Sequence, residues 1–265
     1  MIAQVKRPDQ LESIDGIILP GGESTAMGLI GTHDGMWSAL KKFIQSGKPT
    51  WGTCAGMILL AERCIGASAV IENGQSLIGG LDILVCRNYF GSQISSFEMS
   101  TPPPPGYEDG GKYSGVFIRA PAILTVGEDI DVLGKVVATP CRQAAVVLRE
   151  LENKIAAGED VVMMGVVDAL ERKSGIKYVE VKRGSTEIPA NESEQEEKKE
   201  PALTENEAVI ELPGAADGTN AREVICAARK GDILITAFHP ELTEDYMWHS
   251  YFYKMVVESR RKVLN

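Results

Sequence analysis

The sequence predicts an α/β fold built on one sheet, because short apolar strands alternate with amphipathic helices. Residues 16–19 (GIIL) form an apolar run that ends in Pro-Gly-Gly, which is typical of a buried strand followed by a turn. Residues 36–46 carry apolar side chains at helical spacing, and residues 49–53 form a second short strand. A helix between two buried strands is the unit from which α/β sheets are built.

The remaining elements continue this alternation. Gly47 ends the first helix, because glycine accepts the left-handed conformation that closes a helix. A hairpin is predicted around residues 230–232 (KGD), a turn sequence between two apolar runs. Beyond residue 53 we predict helices over residues 55–63, 143–157 and 245–263, and strands over residues 81–86, 115–118, 224–228 and 233–238.

The composition excludes several classes of protein. Of the 265 residues, 44% are hydrophobic and 24% are charged, which are ordinary globular values. No apolar stretch approaches the ~18 residues of a membrane helix, and residues 1–10 lack the apolar core of a signal peptide. The net charge of −10 argues against nucleic acid or an anionic membrane as a partner.

The cysteines and histidines bear on redox chemistry and metals. Five cysteines without a Cys-x-x-Cys pair predict neither a disulfide framework nor a zinc ribbon, and they fit a reducing, cytoplasmic compartment. With only three histidines in the chain, we expect no metal site.

Half of the net charge lies in residues 191–207, which contain seven glutamates and two lysines. This segment has no aromatic residue and little to bury, so we expect residues 185–220 to be disordered. The predicted helix over residues 143–157 opens an insertion that extends to about residue 222. The residues outside the insertion suffice for one domain, so we expect a single domain over residues 1–265.

The strongest local signal of chemistry is Gly52-Thr53-Cys54-Ala55-Gly56. It lies between a predicted strand and an apolar helix, which is the setting of a nucleophile elbow. Glycines two residues before and after the cysteine let neighbouring chains pass close by, and N–H groups of the following helix can stabilise a thiolate or an oxyanion. The alternative is a buried structural cysteine beside a glycine-rich turn.

His239 and Glu241 follow the predicted strand over residues 233–238. Sheets of this class place their sites at the carboxyl ends of strands, and Glu241 could hold the imidazole in one tautomer. Together with Cys54 these residues indicate a Cys-His-Glu triad, although alone they would also fit a capped strand end. Residues 20–25 (PGGEST) could bind an oxyanion or a phosphate through backbone N–H groups, or simply cap a helix.

Other conspicuous residues have simpler interpretations. His33 lies in a glycine-rich turn that we expect at the surface, and His249 is expected to pack on the last helix. Arg87 and Arg119 stand at or just beyond predicted strands and could bind a carboxylate or form surface ion pairs. The remaining cysteines are interpreted as small core residues: Cys64, Cys86, Cys141 and Cys226.

Five segments together resemble the glutaminase subunit of pyridoxal 5′-phosphate synthase, a class I (triad) glutamine amidotransferase. The segments are PGGEST (20–25), GTCAG (52–56), RNYFGSQISSFE (87–98), GVFIRAP (115–121) and FHPELTED (238–245). The resemblance covers roughly residues 5–142 and 223–262. It implies a doubly wound, three-layer, flavodoxin-like α/β domain without a cofactor.

The resemblance also implies roles for individual residues. Cys54 would attack L-glutamine, His239 would act as general base and then as acid, and Glu241 would orient His239. Backbone N–H groups of Gly22 and Ala55 would stabilise the oxyanion. The glutamine site would be lined by Gly22, Glu23, Ser24, Arg87, Ile118 and Arg119. Ammonia would pass to a separate (β/α)8-barrel synthase subunit.

Two departures from the family pattern stand out. The first βα unit of the family has no counterpart here, so we expect it to be missing, and residues 143–222 interrupt the pattern as an insertion. An amidotransferase of another pathway, such as histidine or purine biosynthesis, stays an alternative, although Arg87-Asn88 and residues 117–121 weigh against it. A catalytically silent regulatory subunit is a second alternative, motivated by the apparent loss of the first strand.

Overall fold

The computed structural model describes residues 2–32, 35–66, 75–90, 96–157, 165–166, 212–213 and 220–264. Its helices are α1 (Ser24–Gly31), α2 (Met36–Gln45), α3 (Ala55–Leu60), α4 (Arg142–Ala157) and α5 (Met247–Leu264). Short 3-10 turns cover Pro8–Ser13, Glu108–Gly110 and Pro240–Leu242.

The strands follow the chain in order. They are β1 (Ile17–Leu19), β2 (Thr50–Thr53), β3 (Ala61–Ile65), β4 (Gln75–Ser76), β5 (Leu81–Cys86), β6 (Ser96–Thr101), β7 (Tyr113–Ile118), β8 (Ala122–Val126), β9 (Asp131–Ala138), β10 (Gly165–Val166), β11 (Arg222–Lys230) and β12 (Ile233–Thr236). Within the described residues, eight of them form one sheet in the order β1-β2-β12-β11-β8-β5-β3, with β9 paired to β11.

This sheet is mixed in direction. Strands β1, β2 and β12 are parallel neighbours, and so are β3 and β5. From β12 through β11 and β8 to β5, each strand runs antiparallel to the next. The predicted α/β class is confirmed. Because β2 and β12 are parallel and Thr53 is paired with Thr236, the residues that follow both strands emerge at the same edge.

Most predicted elements are confirmed within one to three residues of their bounds. The helix α2 buries Trp37, Leu40 and Phe43 on one face and ends before Gly47, whose φ of +76° is the left-handed conformation that the sequence predicts there. Strands β11 and β12 form the predicted hairpin. Residues 115–118 lie in β7, which pairs with β6 in a separate two-stranded sheet.

The predicted helix over residues 55–63 is wrong in its last three residues. The helix α3 ends at Leu60, and the chain passes at once into β3, because Ala61 adopts extended backbone with a ψ of 149°. Strand β3 pairs in parallel with β5, starting at Ala61 and Leu81. A short apolar run fits a buried helix and a buried strand equally well, so the pattern alone could not separate them.

The two long helices, α4 and α5, both pack against the core. The helix α4 buries Ala144, Leu148 and Leu151, so the start of the predicted insertion belongs to the core. As predicted, α5 buries its apolar face, which consists of Trp248, Tyr251, Phe252 and Met255, with Val256 packed beside them. The disorder predicted for residues 185–220 falls outside the described residues, apart from 212–213 and 220. No described helix is long and apolar enough to cross a membrane.

Candidate active site

Cys54 lies at the turn between β2 and α3, as the sequence predicts. Its backbone adopts a φ of +48° and a ψ of −104°, a conformation that is costly for any residue other than glycine. The Cys54 N–H donates to the Thr236 carbonyl at 2.9 Å, which fixes the turn to the end of β12. A strained residue between a strand and a helix is the geometry of a nucleophile elbow.

Gly52 and Gly56 are needed because the chain segments around Cys54 pass too close for a side chain. A Cβ at Gly56 would overlap the Leu19 carbonyl, and one at Gly52 would lie 2.7 Å from the Gly56 carbonyl group. The Gly56 N–H also donates to the Pro20 carbonyl at 3.1 Å. The two glycines therefore let α3 pack directly against the end of β1.

His239 and Glu241, which lie three and five residues beyond the end of β12, form a hydrogen-bonded pair. His239 Nδ1 lies 2.7 Å from Glu241 Oε1. The carboxylate therefore keeps a proton on Nδ1, and Nε2 lies on the opposite side of the ring. The His239 backbone N–H donates to the Val116 carbonyl of β7 at 2.8 Å. The ring is buried, with 9% of the residue exposed.

The side chains of Cys54 and His239 converge on Gly21. A Cβ placed at Gly21 would overlap the His239 ring and would lie 3.4 Å from the Cys54 Cβ. His239 Nε2 is buried and makes no hydrogen bond of good geometry to the residues that the structure describes. It is therefore available to exchange a proton with a group in the space beside the sulfur.

Burial and charge act in opposite directions on this cluster. Burial alone would lower the pKa of His239, but the neighbouring Cys54 sulfur and the Glu241 carboxylate raise it from 6.5 to about 10. Burial would raise the pKa of Glu241, but the hydrogen bond with His239 brings it below its ordinary value. The arrangement thus favours a protonated imidazole that is hydrogen-bonded to the Glu241 carboxylate.

Residues 21–25, which include the first two residues of α1, lie between this cluster and Arg87. Glu23 caps α1, because its carboxylate accepts from the N–H groups of Thr25 at 3.1 Å and Ala26 at 2.6 Å. Although burial opposes this, these bonds lower the pKa of Glu23. Arg87 is buried, donates to Thr25 Oγ1 at 3.1 Å and lies 3.8 Å from Glu23 Oε1. The predicted positions 22–24 and Arg87 are therefore neighbours.

Ile118 and Arg119 lie at the end of β7, two and three residues beyond the carbonyl that holds His239. Ile118 is half-buried and Arg119 is exposed. Arg119 adopts a φ of +47°, one of three positive values among the described residues other than glycine, together with Cys54 and Asn88. Strained backbone of this kind persists where the surroundings determine the conformation, and it often marks a binding site.

The residues with simpler interpretations behave largely as predicted. His249 is half-buried on α5, with its ring 5.3 Å from that of Trp51. Cys64, Cys86 and Cys226 are buried, and burial raises the pKa of their thiols to about 11, 12 and 12. Cys141 is half-buried. His33 lies outside the described residues. Among the described residues, no group of three or more acidic, histidine or cysteine side chains could hold a metal ion.

Sequence reasoning missed two features of the site. A side chain at Gly21 would meet the His239 ring, whereas residues 20–25 were expected to bind an oxyanion or a phosphate or to cap a helix. Tyr113 of β7 is hydrogen-bonded to Thr243, two residues beyond Glu241. Neither could be found from local pattern, because each contact joins segments more than a hundred residues apart in the chain.

The α/β fold with this elbow and this strand-end histidine is that of the class I glutamine amidotransferases. A solved structure described as a glutamine amidotransferase is similar to the chain, with a TM-score of 0.56 and 25% sequence identity. The match covers 95% of this chain and 84% of the other.

The sequence comparisons define the family more narrowly. The profile of the SNO glutamine amidotransferase family matches residues 2–157. The pyridoxal 5′-phosphate synthase subunit PDX2 of Arabidopsis thaliana is 36% identical over 258 residues, which cover 96% of this chain and 76% of the relative. The subunit PdxT of Acidothermus cellulolyticus is 31% identical, over 97% of this chain and 83% of the relative. The chain belongs to the SNO glutamine amidotransferase family.

Proposed function

We propose that this chain is a glutaminase that releases ammonia from L-glutamine and passes it to a pyridoxal 5′-phosphate synthase subunit. The observation that carries the proposal is the convergence of Cys54 and His239 on Gly21, with Glu241 2.7 Å from the far side of the imidazole. The names of the two relatives support the pathway, because both are subunits of pyridoxal 5′-phosphate synthase.

In the proposed reaction Cys54 is the nucleophile. Its sulfur attacks the side-chain amide carbon of glutamine, and His239 Nε2 carries the proton that the thiol has given up. His239 then donates this proton to the departing nitrogen, which leaves as ammonia. A γ-glutamyl thioester remains on Cys54, and water hydrolyses it to glutamate with His239 as the base. The raised pKa of His239 suits the acid step, because the imidazole holds its proton until the leaving group needs it.

The oxyanion and the substrate need further groups. The backbone N–H of Ala55, in the first turn of α3, and that of Gly22 are the proposed oxyanion donors. Arg87 and Arg119 are the proposed partners of charged groups of glutamine, since a guanidinium matches the geometry of a carboxylate. Glu23, Ser24 and Ile118 complete the proposed glutamine site.

The partner in this proposal is a synthase subunit with a (β/α)8 barrel. Free ammonia is lost to solvent or protonated, so a glutaminase of this kind gains from delivering it directly to the enzyme that consumes it. We therefore expect the glutaminase activity to rise when the synthase subunit is bound.

The proposal is tested by measuring glutamate release from L-glutamine with and without the synthase subunit. We expect a Cys54-dependent activity that increases with the synthase, and a loss of at least about 10³-fold in Cys54→Ala. Cys226→Ala removes a buried thiol of β11 that takes no part in the proposed reaction, and it serves as the matched control. Activity that survives in Cys54→Ala would overturn the assignment of the nucleophile, and an activity that responds to a different acceptor enzyme would overturn the pathway.

A further inference from the structure

Strand β7 holds the segment that carries His239 and Glu241 at three points. The His239 N–H donates to the Val116 carbonyl at 2.8 Å. Phe238 packs against the rings of Tyr113 and Phe117, with ring centroids 5.4 and 5.8 Å away. At the far end of the segment, Tyr113 Oη lies 2.8 Å from Thr243 Oγ1. Strand β7 thus spans the whole segment from residue 238 to residue 243.

The direction of the Tyr113–Thr243 hydrogen bond follows from the neighbours of Thr243. Its hydroxyl oxygen lies 3.1 Å from the Pro240 carbonyl and 3.2 Å from the Asp245 carbonyl. Carbonyls only accept, so the single hydroxyl proton of Thr243 is directed to them. Tyr113 is then the donor to Thr243. Burial raises the pKa of Tyr113, so the phenol keeps the proton that this bond requires.

This bond acts on the turn that contains Glu241. The Thr243 hydroxyl and its backbone N–H both donate to the Pro240 carbonyl, which closes the 3-10 turn Pro240–Leu242. Immediately beyond it, the Asp245 carboxylate accepts from the Met247 N–H and starts α5. Glu241 is therefore held between a fixed His239 backbone and a fixed Thr243 side chain.

We infer that Tyr113 is a positioning residue for the glutaminase reaction, which acts through Thr243 on the Glu241–His239 pair. This inference rests on the proposed function. Tyr113 does not contact the reacting atoms. Its hydroxyl fixes the turn that sets the 2.7 Å contact between Glu241 and His239 Nδ1, and that contact orients Nε2 toward Cys54. The Tyr113 side chain is fully buried and Thr243 is half-buried, so the phenol reaches the Thr243 hydroxyl from the interior of the protein.

The test compares single and paired substitutions in the full chain with the synthase subunit present. Tyr113→Phe and Thr243→Val each remove one hydroxyl, and Thr243→Ser keeps the hydroxyl. Tyr253→Phe, on an exposed ring of α5, is the matched control. We expect kcat for glutamine to fall about fivefold in Tyr113→Phe, with KM unchanged within about twofold, because one hydrogen bond contributes on this order. Thr243→Val should lose at least as much, because it also removes the bonds of the hydroxyl to the Pro240 and Asp245 carbonyls. The double variant is expected to lose no more than the larger single effect, and Thr243→Ser is expected to recover most of the activity lost in Thr243→Val.

A second readout separates this inference from the proposed function. The rate at which iodoacetamide alkylates Cys54, measured against pH, depends on the position of the His239 imidazole relative to the sulfur. This measurement needs no glutamine. We expect its profile to shift in Tyr113→Phe and Thr243→Val but not in Tyr253→Phe. If the wild-type chain releases no glutamate, the proposed function fails and the alkylation profile still decides the role of Tyr113. Unchanged kcat and unchanged profiles in both variants, or losses that multiply in the double variant, would overturn the inference. If Tyr113→Phe does not fold, the Thr243→Val and Thr243→Ser pair gives the answer.

Discussion

His239 depends on neighbours from three separate parts of the chain. Gly21 comes from the loop after β1, Cys54 from the turn after β2, and Glu241 from the turn after β12. The two acidic neighbours outweigh burial and raise the pKa of His239 to about 10. Since this pKa lies above the ordinary value of 6.5, the protonation of His239 contributes stability that is fully present below about pH 6.5 and is lost as the pH rises through about 10. The contribution of Glu241, whose pKa is lowered, is instead lost as the pH falls through that pKa.

Glu241→Gln tests the electrostatic part of this arrangement. The amide keeps the size of the side chain but removes the charge, so we expect the pKa of His239 to fall and the alkaline limb of the kcat/KM profile for glutamine to move to lower pH. We also expect kcat to fall by about 10²-fold, because the ring loses the group that fixes its tautomer.

Glu244→Gln is the matched control for this change, because Glu244 is an exposed carboxylate in the same segment. It should leave the alkaline limb in place. An alkaline limb at the same pH in Glu241→Gln and in the wild type would show that the carboxylate does not set the protonation of His239.

At the scale of single elements, the turn between β2 and α3 could be predicted from the sequence, whereas strand β3, which follows α3, could not. The glycine spacing around Cys54 reflects in part a local contact, in which Gly52 meets Gly56. This contact is built into the strand-turn-helix unit. Strand β3 is different, because its identity depends on pairing with β5, twenty residues further along the chain. An apolar run carries no information about such a partner.

Gly56→Ala tests how closely α3 packs on β1. The new methyl group would overlap the Leu19 carbonyl, which belongs to the backbone and cannot rotate away, so the helix must shift. We expect the free energy of unfolding to fall by about 3 kcal/mol, at the upper end of the usual cost of overpacking. Denaturation with urea, followed by tryptophan fluorescence, measures the change.

Gly47→Ala is the comparison for this substitution. Its φ of +76° strains any side chain, but the nearest atom lies 4.0 Å away, so we expect a loss of only about 1 kcal/mol. Gly56 has helical backbone that accepts alanine, so a loss no larger than that at Gly47 would show that α3 can shift to accommodate the methyl group and that the contact with Leu19 is not tight.

At the scale of the whole molecule, the site could be predicted because chemistry is concentrated in a few short segments. Cys54, His239 and Glu241 each stand next to a strand end, and the parallel pairing of β2 and β12 brings those ends together. The contacts of β7 with residues 238–243 could not be predicted, because they depend on how the two-stranded sheet of β6 and β7 packs outside the main sheet. Sequence patterns show which faces are apolar, but they do not show which faces meet.

Described residues on either side of the acidic region contact one another. Arg222, at the start of β11, is buried and donates to Glu152 of α4 and to the Pro213 carbonyl at 2.8 Å. Helix α4 and strand β11 therefore stay together through contacts that do not involve residues 191–207. Residues 158–221 connect α4 to β11 along the chain. The entropic cost of such a connection grows slowly with its length.

Deleting residues 191–207 should accordingly leave the fold and the glutaminase activity unchanged. We expect the melting temperature to stay within about 2 °C of the wild-type value, because shortening a connection changes stability by less than ~1 kcal/mol. The deletion removes half of the net negative charge, so the protein should elute earlier from an anion-exchange column. A variant in which the same residues are replaced by an uncharged Gly/Ser segment of equal length separates the effect of charge from that of length. Loss of cooperative melting in the deletion alone would show that the length is needed, whereas a fall in synthase-stimulated activity in both variants would show that the acidic side chains take part in docking the partner.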